Sequence, residues 1–327
     1  MVRTVLDIQG YVEENYPFIG KIKKVEKLKH NDINSINYLI RTAKKYYTLR
    51  NVTDGSKSKK IEVICKILDF CVRNKIKVIE PIKDKNSKYI DKKNMVYLTK
   101  YYKGNTYTGK TSELYDLAKN LANLHKIMAK NKINYNYRTD INRYYKILTP
   151  NELQSIKRKI EKKSAKDIFD RKVYQNLDFL NECIEQDRIT SHIIKKLKFK
   201  RQLIHRDIHP NNVIFNKSKV SAIIDFNGMR KSRTIEDIAF TSFRFALFQT
   251  TNPDKIKKRL RLFLSTYLRH NHIDIKELIH LRYFFTHEML LKLGLILRKR
   301  YFVKSNAWTI DFDMIINFVK IVNKMDL

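Results

Sequence analysis

Between residues 205 and 212, in the stretch LIHRDIHPNNVIF (203–215), the chain gathers two histidines, an aspartate and two asparagines. Elsewhere it is lysine-rich and poor in glycine, with 68 Lys and Arg and 7 Gly. Pro210 keeps HRDIHPNN from continuing as a helix, so the polar residues form a loop. VIF then reads as a short strand, NKSK as a turn and VSAIID as a return strand. If the turn centres on Ser218 and Lys219, pairing folds Asp225 back beside Asn212. An Asn and an Asp at one end of a hairpin offer two oxygen ligands, which suits a hard Mg²⁺ ion that fills its octahedron with water and phosphate oxygens. Asp207, five residues before Asn212, is placed to aim its carboxylate at a nucleophile next to that metal. His209 is expected to pack or hydrogen-bond, since imidazole suits zinc better than Mg²⁺.

The elements that must carry this loop follow from periodicity. Residues 3–16 make an amphipathic helix. After Pro17, KIKKVEKLKH, INSINYLIRT and KYYTLRNV alternate as three strands of a meander. A helix fits Ser56 to Asn74, because Ile61, Ile64, Cys65, Leu68 and Val72 recur on one face. KVIEPI, SKYID and NMVYLTKYY return to strand. Leu114, Leu117, Ala118, Leu121, Leu124 and Met128 mark a further amphipathic helix, and helical patterns dominate from Pro150 onward, except at 201–225. No internal repeat or low-complexity linker interrupts the chain.

Length and composition set the bounds. At 327 residues the chain suits two lobes, each with its own core. No apolar run is long enough to span a bilayer, and the first residues carry acids where a secretory signal would be apolar. Cys65, Cys71 and Cys183 are odd in number and lack metal-ligand spacing, so reduced thiols and a cytoplasmic location are expected. The formal charge of +35 invites a nucleic-acid partner. However, runs such as KIKKVEKLKH, KRKIEKKSAKD and KIKKRLR have the spacing of wet faces, and no zinc spacing or RNA-binding aromatic signature accompanies them. Neither a specific nucleic-acid partner nor a membrane partner is expected.

His205, Asp207 and Asn212 have the H-R-D-x-x-x-x-N spacing of a kinase catalytic loop, and IIDF stands where the second metal aspartate would be. The wider string LIHRDIHPNNVIF…VSAIIDF…EDIAF resembles the aminoglycoside phosphotransferase, choline kinase and type II homoserine kinase superfamily, in which His-Pro precedes the loop asparagine. LYDLAKNLANLHKI resembles the helix that opens the large lobe of that group. The likeness spans most of residues 20–247 and fades in the C-terminal helices.

The resemblance implies an α+β, bilobal, protein-kinase-like fold. A nucleotide-binding lobe with a small antiparallel sheet and one helix would occupy 1–102, and a mainly helical catalytic and substrate-binding lobe 103–327. It also implies ATP- and Mg²⁺-dependent transfer of the γ-phosphate to a hydroxyl of a small molecule: an amino alcohol, homoserine, a sugar or an aminoglycoside. Asp207 would take the acceptor proton, Asn212 and Asp225 would hold the metal, and His205 would brace the loop. Arg50, ending the third strand where the resemblance places a cation over the phosphates, would pair with Glu62. Backbone groups near Thr99 to Tyr101 would face adenine.

Some features depart from the pattern or fit it loosely. The turn KHNDINSIN has no glycine where phosphate-covering loops favour one. Asp225 is followed by Phe-Asn-Gly, which agrees with the small-molecule branch, and Asp237 in EDIAF reads as helix-capping support for the loop. Two other classes compete: a catalytically degenerate kinase-like binding or spore-coat-type scaffold protein, and an anion-binding protein using its basic surface. The intact Asp207, Asn212 and Asp225 set disfavours the first, and the lack of a recognition module the second. A +35 chain repels cationic aminoglycosides at long range, which only a local acidic pocket would overcome.

Overall fold

The computed structural model describes residues 5–28, 35–52, 57–137 and 144–325. They form two compact units, one from residues 1–137 with 209–230, the other from 138–208 with 231–327. No described helix is long and apolar enough to cross a membrane.

The first unit holds the expected meander, with strands β1 (Ile22–Lys27), β2 (Ser35–Thr42) and β3 (Tyr46–Val52). With β4 (Pro81–Ile82) and β5 (Val96–Lys100) they make an antiparallel sheet in the order β1-β2-β3-β5-β4. Alternation does its work here: Tyr38, Ile40, Leu49 and Leu98 turn to one face, packed with Ile8 and Val12 of helix α1 (Val5–Asn15) and with Tyr16 just after it. Helix α2 (Ser58–Arg73) buries Ile61, Ile64, Cys65 and Leu68 as its stripe requires, and Ile67 and Cys71 join them. The glycine-free turn at 29–34 lies outside the described residues.

Two expected strands differ. KVIEPI contributes only Pro81–Ile82 to the sheet, and SKYID is irregular. The cause is local. Asp84 Oδ1 accepts the N–H groups of Asn86 and Lys88, a side-chain turn that competes with ladder pairing.

Helix α3 (Thr111–Met128) and the hairpin of β7 (Val213–Asn216) and β8 (Lys219–Ile223) belong to this unit too, although a division at residue 102 would assign them to the larger lobe. Backbone hydrogen bonds explain the difference. Asn105 and Phe215 exchange both N–H···O bonds, at 2.9 and 2.8 Å. Ile79 N–H donates to Ile223, and Ile223 N–H donates to Lys77. The buried Asp116 of α3 accepts the Val220 N–H at 2.8 Å. Only glycine fits at 104, because an added Cβ would stand 2.2 Å from the Phe215 oxygen.

The second unit is helical: α4 (Pro150–Glu161), α5 (Ile168–Gln175), α6 (Leu177–Lys196), α7 (Thr234–Ala246), α8 (Pro253–His270), α9 (Ile275–Leu278), α10 (Leu281–Phe302) and α11 (Phe312–Asn323). Strands β6 (Arg201–Ile204) and β9 (Arg230–Arg233) pair; β9 has no apolar alternation to announce it. The core gathers Ile156, Leu180, Phe243, Leu260, Phe285 and Phe318. In the basic run KIKKRLR, Arg259 departs from the wet face: it is buried and donates to the Ala246 and Phe248 carbonyls at 3.2 and 2.6 Å. It thereby satisfies carbonyls that the end of α7 leaves open.

Arg298 of α10 anchors the start of α4. It forks onto both Glu152 oxygens at 2.7 Å and also binds the Tyr144, Lys146 and Ile147 carbonyls. Glu152 closes a capping box with Thr149. The Arg298 hydrogen bond outweighs desolvation and, with the Thr149 N–H, holds the Glu152 carboxyl down at about 2.

Two outcomes follow from this anchor. Replacing a mid-helix glycine by alanine ordinarily gains about 0.5–1 kcal/mol, but at Gly294 a Cβ would meet the Lys146 carbonyl oxygen at 1.9 Å. Gly294→Ala is therefore expected to destabilise by about 1–3 kcal/mol, read as a lowered thermal midpoint. Because the folded-state pKa of Glu152 is depressed from 4.5, its stabilisation is complete above that value and drains away as pH falls toward about 2. Thermal midpoints across that window should fall more steeply for the wild type than for Glu152→Gln, whose deficit at neutral pH should shrink in acid.

Candidate active site

The loop that carries the candidate residues is divided between the units at Ile208 and His209, and each half has its own supports. In the helical unit, β6 delivers His205, which is fully buried. Asp237, in the first turn of α7 and equally buried, accepts the His205 N–H at 2.9 Å on one oxygen and the Arg206 N–H at 2.8 Å on the other. These bonds support the loop, but from within the first turn of α7 and not as its cap, since the N-cap position is Arg233. His205 Nδ1 accepts the Asp207 N–H at 3.2 Å, so the imidazole is an acceptor inside the loop. Asp207 itself is half-buried.

Arg206 takes a left-handed conformation, φ 69°, which is uncommon for a side chain of this size and costs about 1–3 kcal/mol. Its guanidinium is ion-paired with Glu288 of α10, reaches the Glu236 carbonyl and lies over the Phe240 ring at 5.4 Å. Burial works to lower the Arg206 pKa, and the Glu288 and Glu236 carboxylates overcome it, so the net displacement is upward. Glu288 is the single acid of α10, in the mostly apolar stretch FFTHEMLL, but the sequence does not say which cation it meets.

In the sheet unit, Pro210–Asn212 forms a 3₁₀ turn whose N-cap is His209; the His209 Nδ1 accepts the Asn211 N–H at 3.3 Å. His209 therefore hydrogen-bonds, as expected. The hairpin turn centres on Lys217 and Ser218, both with positive φ, one residue earlier than the sequence pattern suggests. This is the backbone that a two-residue turn needs to match strand twist. A register shift between Ile214 and Phe215 follows, and Asn212 then faces Ile224, whose N–H it accepts at 3.0 Å. Asp225 stands one residue beyond, in left-handed conformation, φ 61°, its Oδ1 accepting the Asn227 N–H. The two oxygen donors thus come to the same open end of the hairpin.

Tyr97 is the cross-strand partner of Arg50. Desolvation pushes the Tyr97 hydroxyl up to about 12, the Arg50 charge acting to lower it and the Asp225 charge to raise it. Arg50 Nε also donates to Ser35 at 3.1 Å. Glu62, expected beside Arg50, is held elsewhere: Lys66 and Lys92 bind it at 3.0 and 2.7 Å, and these two lysines keep its carboxyl below the usual range. It lines a cleft of about 920 Å³ with Asp69, Tyr89 and Asp91. The α2 side chain that reaches the loop after Asp225 is Lys60, whose Nζ donates to the Asn227 carbonyl at 3.1 Å.

Thr99 is buried in β5, its hydroxyl donating to the Thr48 carbonyl at 3.4 Å. Of the backbone groups near Thr99 to Tyr101, the Tyr101 N–H donates to the Tyr46 carbonyl at 3.0 Å.

The donor set fits a hard cation. Asn212 and Asp225 offer oxygens only, and among the described residues no three His, Cys, Asp or Glu side chains cluster as metal ligands. A cation held here would draw the rest of its shell from water and phosphate, as Mg²⁺ does.

A sequence profile of the phosphotransferase enzyme family matches residues 24–270. The chain belongs to that family. No curated protein sequence matches it. Among solved structures it is similar to a spectinomycin phosphotransferase in complex with ADP and spectinomycin, at 16% identity, with 99% of each chain covered and a TM-score of 0.61. An amicoumacin kinase in complex with AMP-PNP and Ca²⁺ is similar at 17% identity, covering 92% of this chain and 88% of that one, with a TM-score of 0.59. The choline kinase of Streptococcus pneumoniae is similar at 12% identity, covering 97% and 98%, with a TM-score of 0.57. The fold is the kinase-like α+β fold of these proteins, as the resemblance implies.

Proposed function

We propose that this phosphotransferase moves the γ-phosphate of ATP to a hydroxyl of a small molecule, with Asp207 as the base. The observation that supports this most is the Asn212–Ile224 backbone bond, which sets the side chains of Asn212 and Asp225 at one end of a hairpin continuous with the Asp207 loop. Mg²⁺, bound there through those two oxygens, would neutralise charge on the phosphates. Asp207 accepts the acceptor hydroxyl's proton as its oxygen bonds to the γ-phosphorus, and the bond to the β-phosphate oxygen breaks to release ADP. His205, by accepting the Asp207 N–H, keeps the loop in shape. Arg50 would counter phosphate charge from β3, and Tyr97 presents a neutral hydroxyl beside it. For Glu62 the support is weaker, since two lysines already neutralise it.

The acceptor class is an amino alcohol, homoserine, a sugar or an aminoglycoside. ATP consumption screened over those four classes tests the reading, and consumption with none of them would favour the degenerate binding protein. The cysteines are free and buried; burial pushes Cys65 and Cys71 up to about 12 and Cys183 up to about 11. Inert thiols of this kind support a reducing, cytoplasmic setting.

Asp207→Asn is expected to lower turnover by about 10²–10⁴-fold while leaving nucleotide binding nearly intact, because the carboxylate acts on the acceptor. Turnover at the wild-type rate would sink the assignment. Asn212→Ala and Asp225→Ala should each lose Mg²⁺-dependent ATP affinity, Asp225→Ala more, since it removes a charge where the other removes a dipole. Titrating ATP with and without Mg²⁺ reads both, and three equal affinities would refute the metal site.

A further inference from the structure

We propose that Glu288 of α10, acting through Arg206, is a positioning residue that sets the Asp207 carboxylate for proton transfer. The inference rests on the phosphotransfer reading above and on contacts made wholly inside the helical unit. Arg206 immediately precedes Asp207, and its backbone is in the left-handed region at φ 69°. Such a conformation persists where the surroundings over-determine it. Here Asp237 holds its N–H, Phe240 lies beneath its guanidinium and Glu288 pairs with its charge. The pair is out of water, with Arg206 and Glu288 side chains 8% and 1% exposed.

Stability alone does not account for such a pair. Two buried charges gain little over well-packed apolar side chains of the same volume, because desolvation offsets their attraction. What the ion pair adds is direction. A guanidinium tied to one carboxylate on a rigid helix limits how the loop backbone pivots, and a displacement of about 1 Å at a reacting group costs on the order of 10²-fold in rate. Asp237 fixes the same peptide from the backbone side but leaves rotation about the Arg206 side chain open; Glu288 closes it.

The test separates positioning from folding. Arg206→Ala alone would strand the buried Glu288 charge and unfold the unit, so the informative variant replaces both partners, Arg206→Met with Glu288→Met, keeping volume and the contact with Phe240. It is expected to keep a thermal midpoint at or above that of the wild type and an unchanged KM for ATP, with kcat lowered about 10–100-fold. Glu288→Gln, which retains the shape and an acceptor oxygen, should show a smaller fall in kcat at the same KM. The assay follows ADP release from Mg²⁺-ATP with an acceptor found by the screen, or with water as acceptor. Wild-type kcat in either folded variant overturns the proposal, as does a fall in kcat that tracks a matching fall in folded fraction. Asp207→Asn run alongside distinguishes the two levels. If it is inactive and the double variant is fully active, only the positioning role falls; if Asp207→Asn itself turns over normally, the phosphotransfer reading falls and the positioning role falls with it.

Discussion

A carboxylate withdrawn completely from water must find N–H donors inside the protein, and Asp237 finds them in two consecutive peptides, His205 and Arg206. That single demand shapes the loop before Asp207. Two successive N–H groups can converge on one carboxylate only if the backbone turns between them at His205, and the positive φ of Arg206 then redirects the next peptide, whose Asp207 N–H meets His205 Nδ1. The negative charge is also well placed by itself, in the first turn of α7 where the helix dipole favours an acid. Its helix is anchored in turn by Ile235, Ala239 and Phe243, which are buried in the helical core.

The sheet unit solves a different problem by the same means. Its oxygen donors, Asn212 and Asp225, lie at the end of a hairpin whose own turn uses two positive-φ residues and whose ladder carries a register shift. The hairpin is held by a buried acid of α3, Asp116, and by the reciprocal Asn105–Phe215 bonds. Glycine at 104 is what lets those backbones approach. In both units the chemically interesting residue sits next to backbone that is costly unless its neighbours enforce it, which is where strain tends to collect in functional loops.

The excess of positive charge is less uniform than its total implies. In the helical unit three arginines act as internal fasteners: Arg206 for the loop, Arg259 for the end of α7 and Arg298 for the start of α4. Guanidinium suits this because its planar fork satisfies several carbonyl and carboxylate oxygens at once. The lysines mostly stay at the surface, as in β1, where Lys23, Lys24 and Lys27 are exposed while Ile22 is buried.

The pattern of residues alone determined the meander, the stripes of α2 and α3, the strand–turn–strand after Asn212 and the spacing of His205, Asp207 and Asn212. Each is a local signal: a period of two or of 3.6, a proline, a fixed offset. It also carried the family. The three-dimensional arrangement decided what depends on residues far apart in the chain. It paired Glu62 with Lys92 as well as with Lys66 of its own helix, and it set Tyr97 opposite Arg50 across the strand pair. It moved the hairpin turn by one residue, since twist and not composition sets the turn type, and it brought Glu288 to Arg206 across 82 residues of sequence. Hydrophobic periodicity reports which face of an element is buried. It carries no information on which buried charge will meet which, because that pairing is settled only when helices pack.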